Sequence, residues 1–333
     1  MNAKRVDYLN IGLILLSAIL AFQFPLELFV VAFVFIGPLH YFTEINWLDK
    51  KNYFIESKKR LWLWIGVSAS LLLMLPKLFF LLTEQQSGAT YNAMVSVNNW
   101  TNACYFLTFV AAIGFVVIRK RIYWLLLLVP AVAVAVLFNA NYTYSSLIGL
   151  FLPTIIHVYV FTLVFMAYGA KKSKSRPGMF AVVLALLIPL MILGVEIPGN
   201  AFQFSDWMMT TYVDSNFYSI PNGTAKFFGW SDGTNFNFNG TLELKLMTFL
   251  SFIYMYHYLN WFSKTSLIQW HKSLTWTRSM IIAATWAMLL IVLYFNFALG
   301  LWVAILFSAI HVILEFPLNI LSIRGLFLKE EGS

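Results

Sequence analysis

The chain has 333 residues, of which 60% are hydrophobic and only 11% charged, with a net charge of +8 and one cysteine, Cys104. A soluble domain carries about 25% charged residues, and apolar runs near 20 residues recur from end to end, so the composition excludes an ordinary soluble fold and points to an all-α, polytopic integral membrane helical bundle. The alternating short segments of a transmembrane β-barrel are absent, and a lone cysteine excludes an internal disulfide or a cysteine-cluster metal site.

Taken in chain order, the apolar runs predict ten spans, at about 9–23, 26–47, 61–83, 98–118, 122–138, 146–169, 178–195, 244–262, 279–296 and 299–322. No long soluble segment remains, so residues 1–333 read as a single transmembrane domain. The first pair is joined by the tight Gln23-Phe24-Pro25, and one long helix over 9–36 is the rival to a hairpin of two. Between spans lie the basic clusters Lys4-Arg5, Lys50-Lys51, Lys58-Lys59-Arg60, Arg119-Lys120-Arg121, Lys171-Lys172, Lys264 with Lys272 and Arg278, and Arg324 with Lys329. With ten spans these all fall on one side. That is the positive-inside pattern, with both termini cytoplasmic, and it suits a bacterial inner membrane. The positive charge is thus a topology signal. No basic arm or nucleic-acid motif is present, so no nucleic-acid partner is expected.

The opposite side carries the longest connection, about 196–243, a non-cytoplasmic loop rich in Asn, Gly and aromatics such as Phe227-Phe228-Gly229-Trp230. Its length without a clear helical or strand pattern suggests a lid or a surface for a protein partner. An interfacial cap with its aromatics at headgroup level is the plainer reading.

Four of the five histidines fall inside spans: His40, His157, His257 and His311. All four are on even-numbered spans running the same way. Counted back from the cytoplasmic charges, their depths differ by seven residues, or about 10 Å. Ionisable groups in a bilayer are costly and usually face a bundle interior or cavity, which makes them functional candidates. Glu44 follows His40 by four residues and Glu315 follows His311 by four, so each carboxylate shares a helix face with its histidine. Either can ligate a metal or fix a histidine tautomer by accepting its Nδ1 proton. The expected metal ligands are therefore His40, His157, His257 and His311, with Glu44 and Glu315 as catalytic groups. Imidazole and carboxylate donors without sulfur suit iron, with haem or zinc as alternatives. Aromatics crowd these positions, among them Tyr41, Phe42, Tyr159, Tyr256, Tyr258 and Trp261. They are candidates to line a path for an apolar, lipid-like substrate entering from the bilayer. Phosphate loops, a Gly-x-Ser-x-Gly elbow and His-Glu-x-x-His are all missing.

The architecture, the four intramembrane histidines and the stretch Tyr256-His257-Tyr258-Leu259-Asn260-Trp261-Phe262 resemble the Brp/Blh family of bacterial membrane β-carotene 15,15'-dioxygenases. The resemblance implies a non-haem iron held by intramembrane histidines and oxidative cleavage of a carotenoid. The chain differs from that pattern in having Trp261, rather than a second histidine, four residues after His257. Three functions stand open from the sequence. One is a His-ligated metal oxygenase acting on a lipid-soluble substrate. Another is a transporter or scaffold subunit of a membrane complex with a polar His/Glu pathway. The third is a haem-binding electron-transfer protein.

Overall fold

A computed structural model describes residues 3–55, 58–83, 86–120, 122–141, 146–199 and 202–327. Arg121 and Lys329, counted above among the basic clusters, lie outside the described residues. The described chain is helical, with no strand. Its main helices are α1 (Ala3–Gln23), α2 (Glu27–Lys50), α3 (Lys59–Leu82), α4 (Ala89–Val117), α5 (Ile122–Asn139), α6 (Leu147–Ser173), α7 (Arg176–Gly194), α8 (Asp206–Asp214), α9 (Ser219–Phe227), α10 (Thr241–Ser263), α11 (Trp276–Phe295) and α12 (Phe297–Phe327). Among the described residues, eight helices are long and apolar enough to cross a membrane: α1 to α4, α6, α7, α11 and α12. The spans expected at 122–138 and 244–262 are also helical, as α5 and α10, but α5 has a shorter apolar stretch and α10 is less apolar, with His257, Asn260 and several tyrosines along its length.

Residues 9–47 form two helices, broken at Phe24–Leu26, in place of the single-helix alternative. The 196–243 segment was expected to lack regular structure, but it contains α8 and α9. Ser205 caps α8 by accepting from the Met208 N–H at 3.3 Å. Short polar-rich helices of this kind have too few apolar repeats to stand out in a sequence.

Chain contacts divide the protein into two compact units. The first comprises the residues up to His40, Thr154–Lys272 and those from Ser322 onward; the second comprises Tyr41–Pro153 and Ser273–Leu321. In the first unit α10 is the central helix. Its Leu244, Met247, Leu250, Phe252, Ile253, Tyr254 and Tyr256 are buried on nearly every side, as expected of a helix apolar all round. It packs against α1, α7, α9 and the start of α2. Phe217, between α8 and α9, stacks on Phe29 at 4.6 Å and meets Phe33 edge-on at 5.5 Å, which ties the 196–243 segment to α2.

In the second unit α3 packs on α4, and α4 on α5. Gly66 of α3 lets α12 come close: a Cβ there would lie 2.8 Å from Leu314. Asp49 at the end of α2 joins Lys59 at 2.9 Å and Arg278 at 3.3 Å. Asn46 accepts from Arg278 at 2.7 Å and donates to Ser273 at 2.7 Å, so the end of α2 and the starts of α3 and α11 are clamped together. In the first unit Lys171 caps the end of α12 through the Leu326 carbonyl at 2.5 Å, and Ser175 before α7 bonds Asp7 of α1 at 2.5 Å. Outward faces are apolar, including Leu125, Leu126 and Val129 on α5, Leu187 and Leu190 on α7, and Ile281, Met288 and Ile291 on α11. Apolar side chains spread over whole helix faces in this way suit contact with a lipid bilayer.

Two stretches are wound as π-helix, at Ala32–Ile36 in α2 and Leu147–Phe161 in α6. Each is coupled to a proline. Pro38 lacks an N–H and crowds the carbonyl of Val34, and Pro153 does the same to Gly149, so the wider winding relieves the clash. The first π-turn ends four residues before His40, and the second contains His157.

Candidate metal centres

The first unit buries three histidines, His40, His157 and His257, while its fourth, His271, is exposed. His40 and His257 approach through their Nε2 atoms, 3.1 Å apart, with the rings nearly perpendicular. The His157 ring lies 5.2 Å from that of His257, again edge to face. Gly37, one turn before His40, makes the approach of α2 to α10 possible, because a Cβ there would stand 2.9 Å from the Tyr258 hydroxyl.

The hydrogen bonds around His257 fix its tautomer. Thr162 has one hydroxyl hydrogen and donates it to the Val158 carbonyl at 2.8 Å. Its oxygen, 2.7 Å from His257 Nδ1, must therefore accept, so Nδ1 carries a proton. A neutral His257 then presents a bare lone pair at Nε2, aimed at His40. This orienting contact, with a hydroxyl or carbonyl holding the far nitrogen, is characteristic of metal-ligating histidines. Sequence reasoning did not find Thr162. Under ordinary helical winding a residue five positions after His157 lies about 140° round the helix, but the π-winding brings it back toward the same side. Pro153 is the signal that could have revealed this. His40 also rests against Tyr258 at 5.0 Å and Trp261 at 5.6 Å, and Trp261 stacks on Trp270 at 5.9 Å. Several of the aromatics that crowd the histidines in sequence thus pack around them in space.

The second unit carries Glu44, His311 and Glu315, each buried. His311 Nε2 lies 3.3 Å from Glu44 Oε2 and 3.6 Å from Glu315 Oε2. Glu315 stands beside His311, as the spacing of four predicts. Glu44 shares a helix face with His40, yet its carboxylate is directed at His311, a pairing that spacing along one helix cannot reveal. Asn319, one further turn along α12, is 1% exposed, and neither amide atom has a hydrogen-bond partner among the described residues.

By donor type, buried histidines and glutamates of this kind could hold a metal ion. Imidazoles suit iron, zinc, copper or nickel, and the carboxylates add affinity for harder cations. Comparison with protein-family models, curated proteins and solved structures finds no match to this chain.

Proposed function

We propose that the protein is a membrane-embedded metal enzyme in which His40, His157 and His257 hold a non-haem iron and act on a lipid-soluble substrate. The observation that carries this reading is the Thr162–His257–His40 chain, in which a locked tautomer turns one Nε2 lone pair toward a second imidazole 3.1 Å away. Two histidines alone can satisfy each other by a hydrogen bond. A third imidazole beside them, in a buried apolar setting, is what a metal requires. Bound iron would supply binding and activation of dioxygen.

The chain's own residues do the rest. Thr162 holds the His257 ring in place. Tyr258, Trp261 and Trp270 keep water away and offer flat apolar surfaces to a polyene or other lipid. The resemblance to membrane carotene dioxygenases makes carotenoid cleavage the first activity to assay.

We further propose ten spans with both termini in the cytoplasm of a bacterial inner membrane. The polar ties within each unit support this. Each joins helix ends that the basic clusters assign to the same side: the starts of α1 and α7, the ends of α6 and α12, and, in the other unit, the end of α2 with the starts of α3 and α11.

To test the activity, detergent-purified protein is loaded anaerobically with Fe²⁺, mixed with β-carotene and exposed to O₂. Oxygen uptake with loss of the polyene absorption supports the reading. An iron-loaded protein that leaves both unchanged with β-carotene, and with a total lipid extract, argues against it.

A further inference from the structure

We propose that the junction of α3, α4 and α5, in the second unit, binds the headgroup of an anionic phospholipid from the leaflet next to the basic clusters. The inference does not depend on the metal reading.

The sequence concentrates charge at this junction. Residues 56–64 and 113–124 hold six basic side chains, Lys58, Lys59, Arg60, Arg119, Lys120 and Arg121, against one carboxylate, Glu56. Arg121 and Glu56 lie outside the described residues. Lys59 is taken up by Asp49 at 2.9 Å. Lys58, Arg60, Arg119 and Lys120 are exposed. Among the described residues none of these four pairs with a carboxylate.

Packing draws the charges into one corner. The start of α3 meets the end of α4 through Trp62 and Phe115, with ring centres 5.7 Å apart, and Phe115 meets Trp124 of α5 at 5.0 Å. Gly114 allows α5 to come this close, since a Cβ there would lie 2.6 Å from the Trp124 ring. The Lys58 ammonium stands over both rings, 5.5 Å from the centre of Phe115 and 5.7 Å from that of Trp124. Both distances are within the reach of a cation–π contact, about 6 Å. Arg119 and Lys120 belong to the short link between those same two rings. A lysine that served only to set topology would gain nothing from being held against an aromatic wall beside two further cations.

The helix ends supply an independent observation. Lys58, the residue before α3, makes no side-chain cap, and neither α3 nor α5 has an acidic residue in its first turn. A helix start exposes unpaired N–H groups and the positive end of the macrodipole, so cations there are unfavourable and anions are attracted. Lys58, Lys59 and Arg60 oppose the α3 dipole, and Arg119 and Lys120 precede α5. A phosphate group at this corner offsets the side-chain charges and the two helix starts together.

The occupant is a lipid because the charge borders apolar surface. Leu61 and Trp64 on α3, Val117 on α4, and Ile122 and Leu125 on α5 are exposed within two turns of the basic side chains. A headgroup on the cations with acyl chains along these residues matches both surfaces, and basic pockets between membrane helices recognise acidic headgroups in this way. Exposed Trp64 and Tyr123 suit the headgroup level of the same leaflet.

The experiment counts lipid adducts by native mass spectrometry on delipidated full-length protein in detergent, titrated with phosphatidylglycerol or phosphatidylcholine. It compares wild type, the double variant Lys58→Gln/Arg119→Gln, and a control that removes equal charge in the first unit, Lys172→Gln/Lys174→Gln. Each cation near a charged lipid surface is worth about a fivefold change in binding. The inference expects wild type and control to prefer phosphatidylglycerol, and the junction variant to bind it at least tenfold more weakly with phosphatidylcholine binding unchanged. Equal binding of the two lipids by folded wild type, or an equal loss in control and junction variant, overturns the inference. Displacement of the lipid by excess inorganic phosphate also overturns it, in favour of a free-anion site. Matching elution profiles and thermal midpoints separate a lost contact from a lost fold, and Lys58→Arg, which keeps both the charge and the ring contact, should bind within a few-fold of wild type.

Discussion

Replacing Thr162 with valine tests the tautomer lock. Valine matches threonine in shape but cannot accept a hydrogen bond. The substitution strands the His257 Nδ1–H, which now bonds Thr162 at 2.7 Å in a buried position. An unmet buried donor costs about 1–3 kcal/mol. The imidazole can relieve that cost by moving its proton to Nε2, which removes the lone pair that faces His40. Loss of such an orienting partner weakens metal binding about 10–100-fold, equivalent to about 1.4–2.7 kcal/mol, so the two routes to the magnitude agree. The assay is competition between protein and a chelator of known affinity, in detergent, for wild type, Thr162→Val and Thr162→Ser. Serine keeps the hydroxyl and should restore binding to within a few-fold of wild type. The reasoning is refuted if valine binds metal as tightly as threonine. It is also refuted if serine is as weak as valine, since the effect would then be one of packing.

Further predictions follow from other parts of the molecule. Gly37→Ala places a methyl 2.9 Å from the Tyr258 hydroxyl and should lower metal loading by pushing α2 from α10, whereas Gly12→Ala, with nothing within 4 Å, should leave loading unchanged; elemental analysis of both proteins decides. Burial pushes the Lys264 amine down to about 8, with Asp7 opposing the shift. The folded state therefore binds fewer protons than the unfolded one between about pH 8 and the ordinary lysine value, and this group's penalty is full below pH 8 and fades as pH rises through that window. Lys264→Met should thus be more thermally stable than wild type at pH 7, with the gap closing by pH 10.5; a gap independent of pH contradicts the assignment. In a Cys104→Ser background, a membrane-impermeant thiol reagent added to intact cells should label Asn235→Cys and not Ser173→Cys, and the reverse pattern would invert the proposed topology.

Much of the helical plan is legible in the sequence because burial in lipid demands long apolar runs, and the candidate residues stand out because an imidazole or carboxylate in such a run is conspicuous. What the sequence conceals is rotation. Helix spacing puts Glu44 on the face of His40, but how α2 turns within the second unit decides that its carboxylate meets His311. Thr162 is hidden for a related reason, since the π-winding after Pro153 changes which residues share a side with His157. The helices α8 and α9 escape notice because they are short and because Phe217, between them, packs on Phe29 and Phe33, residues nearly 200 positions away.

The central claim is that the three histidines of the first unit bind a metal, and the most direct test is the metal content and absorption spectrum of purified wild type and His257→Ala. The account predicts near-stoichiometric iron in the wild type with no Soret band, and a clear loss of iron in His257→Ala at unchanged elution profile. A monodisperse wild-type protein that takes up no metal, even after anaerobic loading with Fe²⁺, would contradict it.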